Sequence, residues 1–236
     1  MIPIAKLNDD EIIDELTRAW HLTEVQREQL SRNMSVRHFK KNDIIYRELE
    51  EPSEVMCLTK GKVKVYKEGI GGRNPIIRAI KPVEFIGHRA LFAEEKYKTS
   101  AMAFENSTVA VFPIATIKNL IKANYNVSMF FIKHLSRLLG ISDERIVTLT
   151  QKHIRGRLAD TILALKNSFG VAEDGNTLNV KMSREDLASF SNMSTSNAIR
   201  TLSSFANEKL IQTDGKKIKV MNEQELANIS KAGMND

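Results

Sequence analysis

Apolar residues change their spacing several times along this chain, and each change predicts a different kind of element. Over residues 8–34 they recur at helical intervals (Ile12, Ile13, Leu16, then Leu22, Val25, Leu30), with Trp20 between two short helical segments. From Val36 to Phe112 the texture becomes one of short, partly alternating runs. These are Ile44-Ile45-Tyr46, Val55-Met56-Cys57-Leu58, Val63-Lys64-Val65-Tyr66, Ile76-Ile77-Arg78-Ala79-Ile80, Ala101-Met102-Ala103-Phe104 and Val109-Ala110-Val111-Phe112. Gly, Pro or Asn turns separate them, including Lys60-Gly61-Lys62 and Gly71-Gly72-Arg73-Asn74-Pro75. Short strands at fairly even spacing predict an antiparallel barrel, roll or sandwich. One stretch, Phe85 to Phe92, breaks the strand pattern and reads as a short helix opened by Gly87. A helix N-terminus inside a β-barrel is a natural seat for an anionic ligand.

From Ile114 the spacing is helical again, and from Met129 to Leu149 it sharpens into a heptad seam of Ile132, Leu135, Leu139, Ser142, Ile146 and Leu149. Such a stripe serves either a homodimer or packing on its own domain. Its place between the β domain and the helices that follow favours the homodimer. Ser142 puts a hydroxyl into that seam, where it needs a partner across the dimer or on a ligand. Ile154, Leu158, Ile162 and Leu165 then open a further amphipathic helix, with Thr150–His153 as the hinge.

The stretch Met182–Leu210 carries the strongest functional pattern. Ser183 followed by Asp186 predicts a capped helix that buries Leu187, Ala188 and Phe190, and Ser191-Asn192 predicts a turn. Ser194 or Thr195 caps a second helix in which Ala198, Ile199, Leu202 and Phe205 repeat at helical spacing. Thr195, Ser196, Asn197 and Arg200 remain as a face of short hydrogen-bonding groups followed by a long cation. A recognition helix presents its first turn to base edges in this way. Asp214-Gly215, between Leu210–Thr213 and Lys216–Val220, predicts a hairpin bearing Lys216, Lys217 and Lys219. A basic wing of this kind contacts phosphates and fixes register. The expected DNA contacts are Ser183, Ser194, Thr195, Ser196, Asn197, Arg200, Lys216 and Lys217.

Charge and composition refine this only a little. The 236 residues carry +6, but residues 151–221 hold eleven Lys/Arg against seven Asp/Glu, so DNA affinity must come from placement. No apolar run approaches ~18 residues, and Met1–Ile4 lacks a signal-peptide core; a cytoplasmic protein fits. The lone Cys57 excludes an internal disulfide and any all-cysteine iron–sulfur site within one chain. No metal-ligand spacing, nucleophile elbow or phosphate loop is present, the five histidines are dispersed, and Gly69–Gly72 reads as a turn, so no enzyme is expected.

This order of elements resembles the CRP/FNR family of bacterial transcription regulators over nearly the whole chain. The resemblance is most specific at Gly61, at Gly87–Ser100, and from Ile154-Arg155-Gly156-Arg157-Leu158 through the recognition helix. It implies an α+β protein with three parts: a cyclic-nucleotide-binding-like antiparallel β-roll with N-terminal helices (1–113), a long dimerisation helix and hinge (114–151), and a C-terminal winged helix-turn-helix (152–236). It also implies a homodimer on a palindromic promoter site, a small effector sensed in the roll, and contact with RNA polymerase.

Departures from the family pattern narrow the mechanism. In the cyclic-AMP-binding branch a glutamate follows the cassette glycine and an Arg-Ser pair holds the phosphate; here those places are His88 and Thr99-Ser100. The ribose acceptor and the bidentate phosphate clamp are both gone, so cyclic AMP bound in the usual way is not expected. The N-terminal cysteine cluster of the oxygen-sensing branch is missing too. The expected effector residues are Gly87, His88, Arg89, Thr99, Ser100 and Ser142, holding an unidentified small anion. A haem-sensing branch places a histidine ligand near His88, which leaves a haem-based gas or redox sensor as an alternative. A ligand-gated module acting through protein partners is another. On the recognition helix Arg200 matches the family's base-reading arginine, whereas its glutamate is Ser196, so a different operator sequence is expected.

Overall fold

Local capping starts the chain's first two helices, as the computed structural model, which describes residues 8–69 and 74–232, shows. At α1 (Asp9–Trp20) the Asn8 side chain accepts from Glu11 N at 2.9 Å, and Glu11 Oε2 accepts from Asn8 N at 2.7 Å. Thr23 and Gln26 repeat this reciprocal cap at α2 (Glu24–Arg32). Ile12, Ile13, Leu16, Trp20 and Leu30 are buried, whereas Val25 is 77 % exposed, against the sequence expectation.

Eight strands follow among the described residues: β1 (Ser35–Phe39), β2 (Ile44–Tyr46), β3 (Glu54–Lys60), β4 (Val63–Tyr66), β5 (Ile76–Ile80), β6 (Phe85–Ile86), β7 (Ser100–Ala103) and β8 (Ser107–Pro113). They form two four-stranded sheets, ordered β1-β8-β3-β6 and β2-β7-β4-β5, in an antiparallel jelly-roll-like domain. The six runs read from the sequence fall on strands except at Phe104, which lies just past the end of β7. Phe85 and Ile86 do not belong to the short helix; they pair with Cys57 and Met56, and α3 is only His88–Phe92. The turn after β3 requires glycine, since Gly61 has φ +91° and a Cβ there would lie 2.6 Å from the Asn106 carbonyl. The Gly71-Gly72 turn lies outside the described residues.

One core cluster sits where the N-terminal helices meet β3, β8 and the following helices. Trp20 stacks on Phe85 at 5.8 Å and meets Phe130 and Phe131 at 5.7 Å each. A second cluster, including Tyr46, Leu58, Val65, Ile80, Ile86, Tyr97 and Val111, fills the inside of the roll.

The helical stretch after the roll is broken at Asn124 into α4 (Ile114–Ala123) and α5 (Tyr125–Gln151). α5 has 27 residues, a length of about 40 Å at 1.5 Å per residue. Val127 and Phe131 are buried, while Ile132, Leu139 and Ile146 are 54 %, 65 % and 61 % exposed. The chain separates into two compact units, 1–68 with 78–140 and 69–77 with 141–236, so the division falls within α5.

The C-terminal elements are α6 (Ile154–Phe169), α7 (Arg184–Phe190), α8 (Thr195–Asn207), β9 (Ile211–Asp214), β10 (Lys217–Val220) and α9 (Glu223–Ala232). Leu158, Ile162, Leu165, Leu187, Leu202, Phe205, Ile218 and Leu226 are all buried. Asp160, in α6, accepts from Thr148 at 2.9 Å, from Lys152 at 2.6 Å and from Ser230, tying the end of α5 and α9 to α6.

Candidate functional site

α7 and α8 form the predicted helix pair. Ser183 caps α7 by accepting from Asp186 N at 3.0 Å, and its own hydroxyl donates to the Asp186 carboxylate at 2.7 Å. Ser194 caps α8 by accepting from Asn197 N at 3.2 Å. Ala198, Thr201, Leu202 and Phe205 face the core. Ile199 does not, despite its expected place in that stripe: it is 47 % exposed. The inward face of α8 takes up Thr201, because a helical step of three or four from Ala198 reaches 201 and 202, not 199. Ser196, Ile199, Arg200 and Ser203 therefore share the open side of the recognition helix. Thr195 and Asn197 are half-buried, and the Asn197 side-chain oxygen accepts from Arg200 at 2.6 Å.

The wing is shifted by one residue from its expected position. Asp214 pairs with Lys217 inside the hairpin, so the two-residue turn is Gly215-Lys216, with Gly215 at φ +54°. Lys216 and Lys217 are exposed, whereas Lys219 lies 3.5 Å from Asp174. Asp174 accepts from Asn176 N and from both the backbone and the hydroxyl of Thr177, which holds its carboxyl well below the usual range. Arg155 forms a bidentate pair with Glu208 at 2.9 and 2.8 Å and also donates to Ser204 at 2.6 Å. It thus braces the far end of α8.

The residues of the roll cassette differ in how far they are buried. Gly87, at φ +77°, is the N-cap of α3, and a Cβ on it would come within 2.9 Å of the Tyr97 ring. With five residues, α3 has little macrodipole to offer an anion. His88 is 1 % exposed, and the next residue, Arg89, turns outward to pair with Glu95 at 2.5 Å. Ser100 is fully buried and accepts from Glu48 N at 2.9 Å. Thr99 is half-buried beside Tyr46, whose ring stacks on Tyr97 at 4.0 Å. Ser142 is exposed on α5.

His88 and His134 lie with ring centroids 4.8 Å apart. Neither nitrogen of His88, nor Nε2 of His134, has a partner in full hydrogen-bonding geometry among the described residues. Burial pushes the His88 pKa down to about 3, with smaller downward pushes from His134, Arg78 and Arg89 and a minor upward one from the Phe85 backbone, so its ring is neutral. This packing does not fit a haem on His88. Phe85 at 6.3 Å, Phe131 at 6.2 Å and His134 occupy the space around the imidazole that a macrocycle needs. Sequence reasoning missed two residues here. His134 stands next to the heptad seam without belonging to it. Arg78 sits at the inward position of an alternating strand, and the period of two in Ile76-Ile77-Arg78-Ala79-Ile80 was the signal for it.

A β-roll joined to a capped helix pair with a basic wing is the architecture of a DNA-binding regulator, and comparison with known proteins agrees. Residues 36–124 match the model of the cyclic nucleotide-binding domain, and residues 156–229 match that of the Crp-like helix-turn-helix domain. The chain belongs to the CRP/FNR family of transcription regulators, which are not enzymes. It is 26 % identical over 180 residues to the anaerobic regulatory protein of Bacillus subtilis, covering 75 % of this chain and 76 % of that one. It is also 26 % identical over 188 residues to the global nitrogen regulator of a Nostoc species, covering 78 % and 84 %. The structure of FixK2 from Bradyrhizobium japonicum shares the fold, with a TM-score of 0.76 and 21 % identity over 83 % of this chain and 96 % of that one. No helix among the described residues is long and apolar enough to cross a membrane.

Proposed function

We propose that this regulator works in the cytoplasm as a homodimer on a palindromic promoter site, that a signal sensed in the β-roll controls it, and that it contacts RNA polymerase from that site. The observation that carries the DNA-reading part is the open side of α8. Ser196, Ile199, Arg200 and Ser203 are left free of the core while Ser194 caps the helix N-terminus toward the same end. Arg200 is suited to guanine O6 and N7, Ile199 to a thymine methyl, and Ser196 to either partner of a base pair. Lys216 and Lys217 on the wing supply phosphate contacts.

Support for the dimer comes from α5. Ile132, Leu139 and Ile146 recur every seven residues, and all three are exposed. A second copy of the same helix covers such a stripe with like residues, and its two-fold axis gives two readers for two half-sites. Ser142, Leu135 and Leu149 complete the proposed seam. For the signal, relatives such as the cyclic-AMP-activated regulator of Salmonella typhimurium, 23 % identical over 172 residues, are named for their effector. Here Thr99-Ser100 offers no phosphate clamp, and Arg89 is engaged by Glu95. The sensed ligand is therefore something other than cyclic AMP held in that manner, bound around Gly87, His88, Thr99 and Ser100.

Titrating salt against binding of the full-length protein to duplex DNA tests the reading. A log–log slope of several units, with some sequences retained at salt that releases random DNA, supports it. No salt-dependent retention would instead favour a module acting through protein partners.

A further inference from the structure

The inside of the roll holds a cation that none of the residues above explains. On β5 Arg78 shares its face with Ile80, since side chains alternate along a strand. Ile80 is 2 % exposed and packs with Tyr46, Ile86, Ala90 and Tyr97 in the roll's core cluster. Arg78, half-buried two positions before it, makes no hydrogen bond and no salt bridge with any described residue. Glu84 is close enough to feel its charge but does not pair with it; that carboxylate accepts instead from Lys81 N at 3.2 Å. The same guanidinium acts on Tyr46, His88 and His134. Both His88 nitrogens and His134 Nε2 are buried with no partner in full hydrogen-bonding geometry among the described residues.

Arg78 is half-buried, and a guanidinium held at an inward strand position without an acceptor is a group that the oxygens of a ligand can satisfy. Around it lie neutral groups with hydrogens to give: each uncharged imidazole carries one N–H, and Tyr46 carries a hydroxyl. This is the donor set of an oxyanion site, with a planar fork at its centre. We propose that Arg78 anchors the carboxylate or phosphate of a small effector inside the roll, with Tyr46, His88 and His134 as its neutral neighbours. The anchor is thereby moved from the β7 cassette, where Thr99 stands in place of an arginine, to β5. This inference rests on the reading of the roll as the sensor, and it names the ligand's charge and its cationic contact.

The test is thermal unfolding of the full-length protein in about 10 mM sodium phosphate or succinate, against sodium chloride at equal ionic strength. An anion bound near millimolar affinity raises Tm by ~3–6 °C. Arg78→Met is expected to abolish that rise. It is also expected to raise the Tm of the ligand-free protein by ~2–4 °C, because a half-buried charge without an acceptor leaves the roll. Arg78→Lys keeps the charge but loses the fork, and its anion response should fall between the two. A response to phosphate alone identifies a phosphorylated effector, and a response to succinate alone a carboxylic acid. The proposal is overturned if neither anion exceeds chloride on the wild type, or if Arg78→Met keeps the full response. It is also overturned if Arg78→Met lowers the ligand-free Tm or fails to fold, since either would make Arg78 a structural support. Retention of wild-type protein on DNA is scored separately, so loss of this inference and loss of the DNA-binding reading give different results.

Discussion

The imidazoles of His88 and His134 face each other across 4.8 Å, one on α3 and one on α5, with His88 enclosed by Phe85 and Phe131. His88 is held neutral because burial, and then the charges of its neighbours, depress its pKa from 6.5 to about 3. The unfolded chain therefore takes up a proton below about pH 6.5 that the folded chain refuses, and stability is lost as pH falls from there toward 3. The cost approaches ~1.4 kcal/mol per pH unit from this one group. Melting curves at pH 7, 6, 5 and 4 should show a steeper fall for the wild type than for His88→Leu. Parallel curves would mean that water reaches the ring and the pair is not sealed.

Leu139, 65 % exposed at the middle of the α5 stripe, is the position most sensitive to charge if two copies pair there. Leu139→Glu places like charges on both sides of a two-fold seam. Light scattering on micromolar protein should give twice the chain mass for the wild type and the chain mass for the variant. A wild type that is monomeric at those concentrations would contradict the seam.

Arg200 donates to Asn197 at 2.6 Å in the free protein and so stands preorganised along α8. Arg200→Ala should weaken binding to a selected site by ~1–3 kcal/mol, roughly five- to 150-fold, with little change on random DNA. Equal loss on both would make it a phosphate contact. Ile199→Ala should reduce discrimination between thymine and uracil at one base step, measured by competition with uracil-substituted duplex.

Much of the architecture was legible because period carries it. The six apolar runs became strands except at Phe104, and the heptad spacing became the open stripe of α5. Three positions differ because of their phase on the element, and one because its contact is remote in sequence. Ile199 is expected in the stripe of Ala198, Leu202 and Phe205, yet the inward face of α8 takes Thr201 instead and leaves Ile199 outside. Arg89 looked like an anion binder because it is basic, yet a step of one from the buried His88 turns it to the surface and to Glu95. Arg78 was passed over inside an apolar run although alternation places it inward. His134 pairs with His88 across 46 positions of sequence, and no local pattern reports such a contact.

Lys216 and Lys217, exposed at the wing tip, should act on all sequences alike. Changing both to Ala is expected to lower the salt slope by about one for each phosphate the wing no longer neutralises, leaving the preference among operators unchanged. A shift in sequence preference would place the wing at base edges instead.

Selection of binding sites from random duplex DNA by the full-length protein tests the central claim most directly. The account predicts an inverted repeat whose half-site centres lie about 10–10.5 bp apart, one turn of the duplex. Recovery of single, unpaired half-sites, or no enrichment over the starting pool, would contradict it.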